Sequence, residues 1–416
     1  MSDDCAVRIL LVTHTAEIGG AEAAMLRLLD AVDRDRFALS VVTFAEGALV
    51  DALRVRGVEV EVLAAGAVTR VTRDEAGSAA SVARHGVATL RLAGALRRHV
   101  VGVQADLVVA NSLKAAVVVS VAAFLSRRSW VWHLHDRLAS DYLPAPVVVV
   151  LRMVAVVGPR AIVANSRATA ATAGRGARRR VRVAYPGLPA AAFRGALGRR
   201  RGAVGIVGRI SATKGQREFL EAAEAVALRH PRIPFRIVGA ALFEDAAVEQ
   251  ALRSELAASP IGDRVEFTGW VDDVPRQLRR LRVLVHASPV PEPFGQVVVE
   301  AMAAGVPVIA TDAGGVPEIL APNAASDPIA DGVRRTHTGI LVPPGDPGAL
   351  ARAIEWVLTH PREVSYMVAR ARQDAQYRFT IAQTAVAVQE AWTNAVRGRG
   401  ARRPCEIRSH GGTTAR

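Results

Sequence analysis

Short runs of β-branched and apolar residues alternate with longer segments of helical period from the start of this chain. The runs Val7–Thr13, Ala38–Phe44, Val58–Leu63, Asp106–Ala110, Trp130–His135, Ala161–Ala164 and Val181–Tyr185 read as strands. Ala21–Val32, Ser78–His99 and Ser112–Leu125 read as helices between them. Parallel strands need crossover connections, so this alternation predicts a parallel sheet covered by helices on both faces.

The pattern lapses over Pro186–Gly202, a Gly- and Arg-rich stretch with neither period, and then restarts. Strands are expected at Ala203–Val207, Phe235–Val238, Val265–Thr268, Leu281–His286, Val306–Ala310 and Gly339–Val342. Helices are expected at Gln216–Arg229, Ala246–Ala258, Gly295–Ala304 and Pro347–Leu358. A last helix, about Thr380–Val396, carries Ala385, Val388 and Trp392 at helical spacing. The expected organisation is a first domain over 1–185, a linker over 186–202, a second domain over 203–378, a C-terminal helix over 379–396 and a basic disordered tail over 397–416. The fold class is α/β, with two Rossmann-like doubly wound units.

Composition supports two cores. A chain of 416 residues exceeds the roughly 250–300 at which one core stops growing, and half its residues are hydrophobic. The only cysteines, Cys5 and Cys405, have no partner spacing, so a disulfide framework and a zinc site are both excluded and a reducing cytosol is expected. The first apolar run has the length of a strand and no basic leader, which argues against a secretory signal. Ala115–Leu125 and Pro146–Val157 are shorter than the ~18 residues that span a bilayer, and both read as buried helices. The rival reading is a peripheral, monotopic contact with the inner face of the membrane, in which an apolar helix dips in and basic side chains hold the anionic leaflet.

The net charge of +14 is concentrated in Arg175–Arg201, with nine arginines, and in the tail. A solvated linker and a disordered tail account for it. No helix-turn-helix, zinc finger or aromatic platform accompanies the arginines, so nucleic acid is not an expected partner. Only two lysines, Lys114 and Lys214, stand against 51 arginines. A lysine that persists in such a background marks a place where a compact ammonium serves better than a planar guanidinium.

Ligands of open parallel sheets bind beyond the carboxyl ends of the strands. After the first strand, Gly19-Gly20 opens a helix, so the backbone can approach an anion closely there. After the first strand of the second domain, Arg209 and Lys214 share one strand-to-helix loop, a receptor for a diphosphate that needs no metal ion. In the stretch 288–310, Glu292 lies in a loop, Phe294-Gly295-Gln296 opens a helix, and Glu300 sits about one and a half turns inside it. Pro293 and Gly305 punctuate that helix. Trp130–His135 puts His133 and His135 on one face, with His135 nearer the strand end and Asp136 following it. Asp272-Asp273 before Pro275 reads as a helix N-cap rather than a metal site.

Glu292 and Glu300, seven residues apart, match the E-x7-E motif, and nearly the whole chain resembles glycosyltransferase family 4, retaining nucleotide-sugar enzymes of the GT-B fold. The resemblance also rests on Gly19-Gly20-Ala21-Glu22, Gly208-Arg209 with Lys214-Gly215, Gly269–Val274, Thr311–Glu318 and Gly339–Val342. It implies two domains facing across a cleft, the first binding the acceptor and the second the nucleoside-diphosphate sugar. The sugar nucleotide is a co-substrate, and no cofactor or metal is implied. By resemblance, Gly19 and Gly20 line the donor site and Arg209 and Lys214 bind its diphosphate. Glu300 would take the ribose hydroxyls. Glu292, with the backbone of Phe294, Gly295 and Gln296, would hold the sugar hydroxyls, and His135 would contact the transferred sugar. Arg70, Arg73, Asp74 and Glu75 fall in a stretch, Gly66–Gly77, that matches nothing in the family and lies where it varies with acceptor.

The implied reaction moves a hexose to a hydroxyl of a glycan, a lipid-linked intermediate or a small molecule. The resemblance offers no settled carboxylate nucleophile for a double displacement, which favours a front-face route. Other activities on the same architecture, a sugar phosphorylase or a nucleotide-sugar epimerase, remain alternatives, as does a non-catalytic partner subunit.

Overall fold

The computed structural model describes residues 6–64, 79–195, 202–242 and 245–397. The first domain runs β1 (Val7–Thr13), α1 (Gly20–Ala31), β2 (Phe37–Thr43), α2 (Ala48–Val55), β3 (Glu59–Val62), α3 (Ala79–Gly102), β4 (Leu107–Ala110), α4 (Leu113–Ser126), β5 (Ser129–Leu134), α5 (Ala145–Val157), β6 (Ala161–Ala164), α6 (Arg167–Thr172) and β7 (Val181–Val183). Its seven strands form one parallel sheet in the order β3-β2-β1-β4-β5-β6-β7. The order reverses at β1, so the loops after β1 and β4 splay apart and leave a crevice beyond the strand ends.

The second domain runs β8 (Ala203–Val207), α7 (Gln216–Arg229), β9 (Phe235–Val238), α8 (Ala246–Ala257), β10 (Val265–Phe267), α9 (Val274–Arg279), β11 (Leu281–His286), α10 (Gln296–Ala304), β12 (Val308–Thr311), α11 (Val316–Leu320), β13 (Asp327–Ala330), β14 (Val333–Arg335), β15 (Ile340–Val342), α12 (Pro347–Thr359) and α13 (Pro361–Arg378). A final helix, α14, spans Ile381–Arg397. The second sheet has the order β10-β9-β8-β11-β12-β15-β14-β13, parallel except for an antiparallel meander at β13 and β14. Its switch point lies between β8 and β11.

Strand expectations agree with the structure to within two residues at each end. The meander, α2, α6, α11 and α13 had no counterpart in the pattern reading. In α13 the buried Val364, Met367, Val368, Ala371 and Ala375 keep helical spacing, but charged and polar residues between them dilute the signal.

Two expectations need correction. Pro146–Val157 is a helix, α5, yet it is not buried: only Val148, Leu151 and Ala155 face the core. In the other apolar helix, α4, the body is buried while Phe124 and Leu125 at its end are exposed. The periodic signal cannot distinguish an apolar face turned inward from one turned to the surroundings. Of the arginines of 175–180, Arg175, Arg178 and Arg179 are solvated as expected, but they sit on a 3-10 helix packed against α5 in the first domain rather than on a linker. The start of the expected linker is packed as well: Leu188 and Phe193 are buried with the core of α10, and the Leu188 backbone pairs with Phe379 and Ile381. Residues 196–201 of that stretch, the segment carrying Arg70, Arg73, Asp74 and Glu75, both cysteines and the tail beyond Arg397 lie outside the described residues.

α14 leaves the second domain and covers the first sheet. Its Ala385, Val388, Ala391, Trp392 and Ala395 join one core with Ile9, Leu29, Phe37 and Val131. Trp392 is fully buried, stacks on His133 with an interplanar angle of 4°, and donates its indole N–H to His133 Nε2 at 3.2 Å. Truncating such a side chain costs roughly 3–5 kcal/mol. His133 is thus a packing residue, kept neutral by burial, which lowers its pKa to about 3.

Candidate active site

The two sheets bring their carboxyl ends to one cleft. On the second domain's side, β8 ends in a loop whose Gly215 has φ +79 and sits so close to Ala287 that a Cβ would meet its carbonyl oxygen at 2.1 Å. Only glycine fits there, and the loop is thereby pressed against the end of β11. Gln216 fixes the loop from inside, donating to the Arg209 carbonyl at 2.9 Å. Arg209 lies 3.5 Å from Asp245.

Lys214 reaches across to Glu292, with Nζ 2.8 Å from Oε1 and 2.9 Å from Oε2. Ser288 Oγ lies 3.0 Å from Glu292 Oε2, and His286 Nε2 is 3.6 Å away. His286 in turn faces Thr311 Oγ1 through Nδ1 at 3.4 Å. Burial alone would raise the Glu292 pKa, but the Lys214 ammonium and His286 beside it hold the carboxyl well below the usual range. Glu292 is therefore a fixed anion.

The backbone at Glu292 is clamped by the Gly314-Gly315 turn. Gly314 has φ +65 and its Cβ position would overlap the Glu292 carbonyl oxygen at 2.0 Å, while Gly315 N–H donates to that carbonyl at 2.8 Å. This explains physically why two glycines precede α11.

Glu300 faces the first domain. Arg27 of α1 lies 3.4 Å from its Oε1 and also donates to Gln296 Oε1. Gln296 Nε2 donates to the Gly20 carbonyl at 2.7 Å, so the glycine pair and the start of α10 meet face to face. Burial raises the Glu300 pKa against the opposing pull of Arg27.

The first domain contributes His135, whose Nε2 lies 3.1 Å from Asn111 Oδ1. Burial lowers its pKa to about 4, so it is neutral near pH 7. His135 Nδ1, Asn111 Nδ2 and His14 Nδ1 are buried polar atoms without a protein partner. Such atoms at strand ends are what a hydroxyl-rich ligand would satisfy. Burial raises the Asp136 pKa despite the hydrogen bond from Tyr142 Oη at 3.0 Å, and both Glu292 and Arg209 are close enough to act on its charge.

Further contacts join the domains. Ser166 and Thr169, at the start of α6, donate through their hydroxyls to the Pro293 carbonyl. The Glu318 carboxylate accepts from the Arg167 N–H at 2.9 Å, the Ala168 N–H at 2.6 Å and the Tyr185 hydroxyl at 2.9 Å. This carboxylate caps a helix of the opposite domain.

The cleft thus gathers Gly19, Gly20, His135, Arg209, Lys214, Glu292, Phe294, Gly295, Gln296 and Glu300. Phe294 is the exception in detail, since its ring is buried against Tyr185 and Phe379 and only its backbone faces the loop. Arg27, Asn111, His286, Ser288 and Glu318 escaped sequence reasoning. Ser288 stood inside the densest motif and His286 at a strand end, both findable by position, whereas Arg27 had nothing to mark it. Asp273 accepts from the Arg276 N–H at 2.8 Å, which is the expected N-cap, and Asp272 accepts from the Trp270 indole.

Residues 194–374 match the model of the family described as glycosyl transferases group 1. The same architecture recurs over 93% of this chain and 99% of the Anabaena protein HepE solved with UDP and glucose, at 26% identity and a TM-score of 0.76. The chain has the GT-B fold, and its second domain matches the glycosyl transferases group 1 family. Among curated relatives of this GT-B chain, 2-deoxystreptamine glucosyltransferase of Streptomyces kanamyceticus is 32% identical over 163 residues, 39% of this chain and 37% of that one. The lipopolysaccharide core mannosyltransferase LpcC of Rhizobium leguminosarum bv. viciae is 30% identical over 38% of this chain and 41% of its own length. The matched stretch therefore spans about two fifths of each of these relatives. Sucrose-phosphate synthase of Thermosynechococcus elongatus, at 20% identity and a TM-score of 0.75, shares the fold.

Proposed function

We propose that this protein is a retaining, metal-independent hexosyltransferase that moves a sugar from a nucleoside-diphosphate donor to a hydroxyl acceptor. The observation that carries the reading is the convergence of Lys214, Glu292 and Glu300 on one cleft whose far wall is Gly19-Gly20 and His135. Arg209 and Lys214 would bind the diphosphate. Glu300 would accept from the ribose hydroxyls, displacing Arg27, and Glu292 from the sugar hydroxyls, since a carboxylate accepts from two neighbouring hydroxyls at once. HepE has been solved with UDP-glucose, which favours a uridine nucleotide as the first donor to try.

In the front-face route, the bond from the anomeric carbon to the diphosphate oxygen breaks while the acceptor oxygen bonds to the same face. The departing phosphate oxygen takes the acceptor's proton. Fixed cations at Arg209 and Lys214 stabilise the leaving charge, the kind of preorganised term that dominates such barriers. Neutral His135 can hydrogen-bond the sugar without carrying a competing charge. The acceptor, a glycan, a lipid-linked intermediate or a small molecule, would enter from the first domain. A cytoplasmic protein with a peripheral contact on the inner membrane face completes the reading.

The test is a thermal-shift screen with nucleoside diphosphates and nucleotide sugars, followed by release of nucleoside diphosphate with and without acceptor. Stabilisation by a nucleotide and acceptor-dependent release with retained anomeric configuration are expected. Release or epimerised sugar without acceptor, or transfer from a sugar 1-phosphate alone, would assign one of the other activities.

A further inference from the structure

The helix α5 is apolar on both sides. Val148, Leu151 and Ala155 enter the core, whereas Val149, Val150, Met153, Val156 and Val157 are 40–79% exposed. A surface helix normally presents polar residues outward, and one whose outward face is apolar apart from a single arginine, Arg152, is expected to be covered by something. Its outer rim is basic. The 3-10 helix Arg175–Arg180 packs on α5, with Arg180 donating to the carbonyls of Val156 and Pro159. A Cβ on Gly176 would stand 3.0 Å from the Val156 side chain, so this turn is seated directly beside the valine face.

Arg152, Arg175, Arg178, Arg179 and Arg182 are exposed around that face. None of them forms a salt bridge with a carboxylate among the described residues. The sequence has no aspartate or glutamate between Asp141 and Glu218, so the segment that builds this surface carries no acid to neutralise it.

We propose that this face docks on an anionic lipid surface, with α5 lying in the interface plane and the arginines on the headgroup phosphates. At 13 residues α5 is roughly 20 Å long, too short for a ~30 Å hydrocarbon core, and no described helix is long and apolar enough to cross a membrane. An in-plane helix with apolar residues below and arginines at the rim is the arrangement that combines acyl burial with headgroup attraction. A twofold dimer through the same patch would set the two arginine clusters against each other, which disfavours a second copy as the occupant. The inference stands apart from the transfer reaction and needs no turnover to test.

The experiment is co-sedimentation of the full chain with vesicles of phosphatidylcholine alone and of phosphatidylcholine mixed with phosphatidylglycerol. Binding to the anionic vesicles only, weakening as salt is added, is expected. Val150→Glu with Met153→Glu, and separately Arg178→Glu with Arg179→Glu, should each lower the partition coefficient on the order of tenfold or more without changing the melting temperature. The two pairs lie on different elements, so misfolding of one leaves the other decisive. Equal or absent binding to both vesicle types, or variants that bind like wild type, would overturn the proposal. So would wild-type dimers on sizing that the Val150 and Met153 changes dissociate, since the occupant would then be a second copy.

Discussion

The Lys214 ammonium is held by both oxygens of the Glu292 carboxylate, at 2.8 and 2.9 Å, from strand ends 78 residues apart in sequence. The pair is only partly exposed, with 31% of the lysine and 16% of the glutamate side chain accessible. An ammonium has three donors, so Lys214 can keep this partner and still offer a hydrogen to a diphosphate. The residue expected to bind phosphate and the residue expected to bind sugar are therefore one electrostatic unit.

Such a unit should behave non-additively. Lys214→Ala is expected to weaken nucleoside-diphosphate affinity by about 1.5–3 kcal/mol, the cost of a charge-assisted contact. Glu292→Gln in the Lys214→Ala background should cost less in transfer rate than in the wild type, with a coupling of roughly 0.5–3 kcal/mol from the four-member cycle. Strict additivity of the two changes would mean that the pair does not act together.

Glu300 and Glu292 should separate by ligand. Glu300→Gln is expected to weaken free nucleoside diphosphate and intact donor alike. Glu292→Gln is expected to lower kcat while moving free nucleotide affinity less, because contacts that tighten as the sugar flattens act on the transition state. Calorimetry with nucleoside diphosphate beside steady-state transfer reads both, and matching patterns in the two variants would reverse the assignment.

Saturating EDTA should leave most transfer activity in place, because Arg209 and Lys214 supply positive charge at the expected leaving group. Activity restored only by added Mg²⁺ or Mn²⁺ would place an ion in the mechanism.

Burial raises the Glu22 pKa to about 7, with Asp136 adding to the shift and the Gly19 N–H, 3.2 Å from Oε2, opposing it. A carboxyl whose folded pKa lies above its unfolded value contributes stability that is complete below the unfolded pKa and is lost as pH rises through the folded one. Wild-type stability should therefore fall by up to roughly 3 kcal/mol between pH 4.5 and about 7 from this group. Glu22→Gln, which keeps an acceptor for Gly19, should flatten that part of the melting-temperature profile. An unchanged slope in the variant would assign the pH dependence elsewhere.

Much of this molecule was legible without coordinates, because two properties of the chain are local. Apolar runs set the strands, and glycine, proline and capping residues set their ends, so β8, β9, β11 and α7 fall where the pattern put them. The motif residues are local too: Glu292, Gly295 and Glu300 sit on one strand-loop-helix unit whatever surrounds it. Tertiary structure alone chose the partners. Arg27 and Glu300 are 273 residues apart, and nothing distinguishes Arg27 from the other arginines until α1 and α10 face each other. Likewise Trp392 reads simply as an apolar helix position until α14 crosses to the first domain and His133 receives its indole N–H. The same limit governs α5. Apolar residues at nearly every position apart from Arg152 give no period that tells one face from the other, and only the packed fold shows that one face meets the core and the other does not.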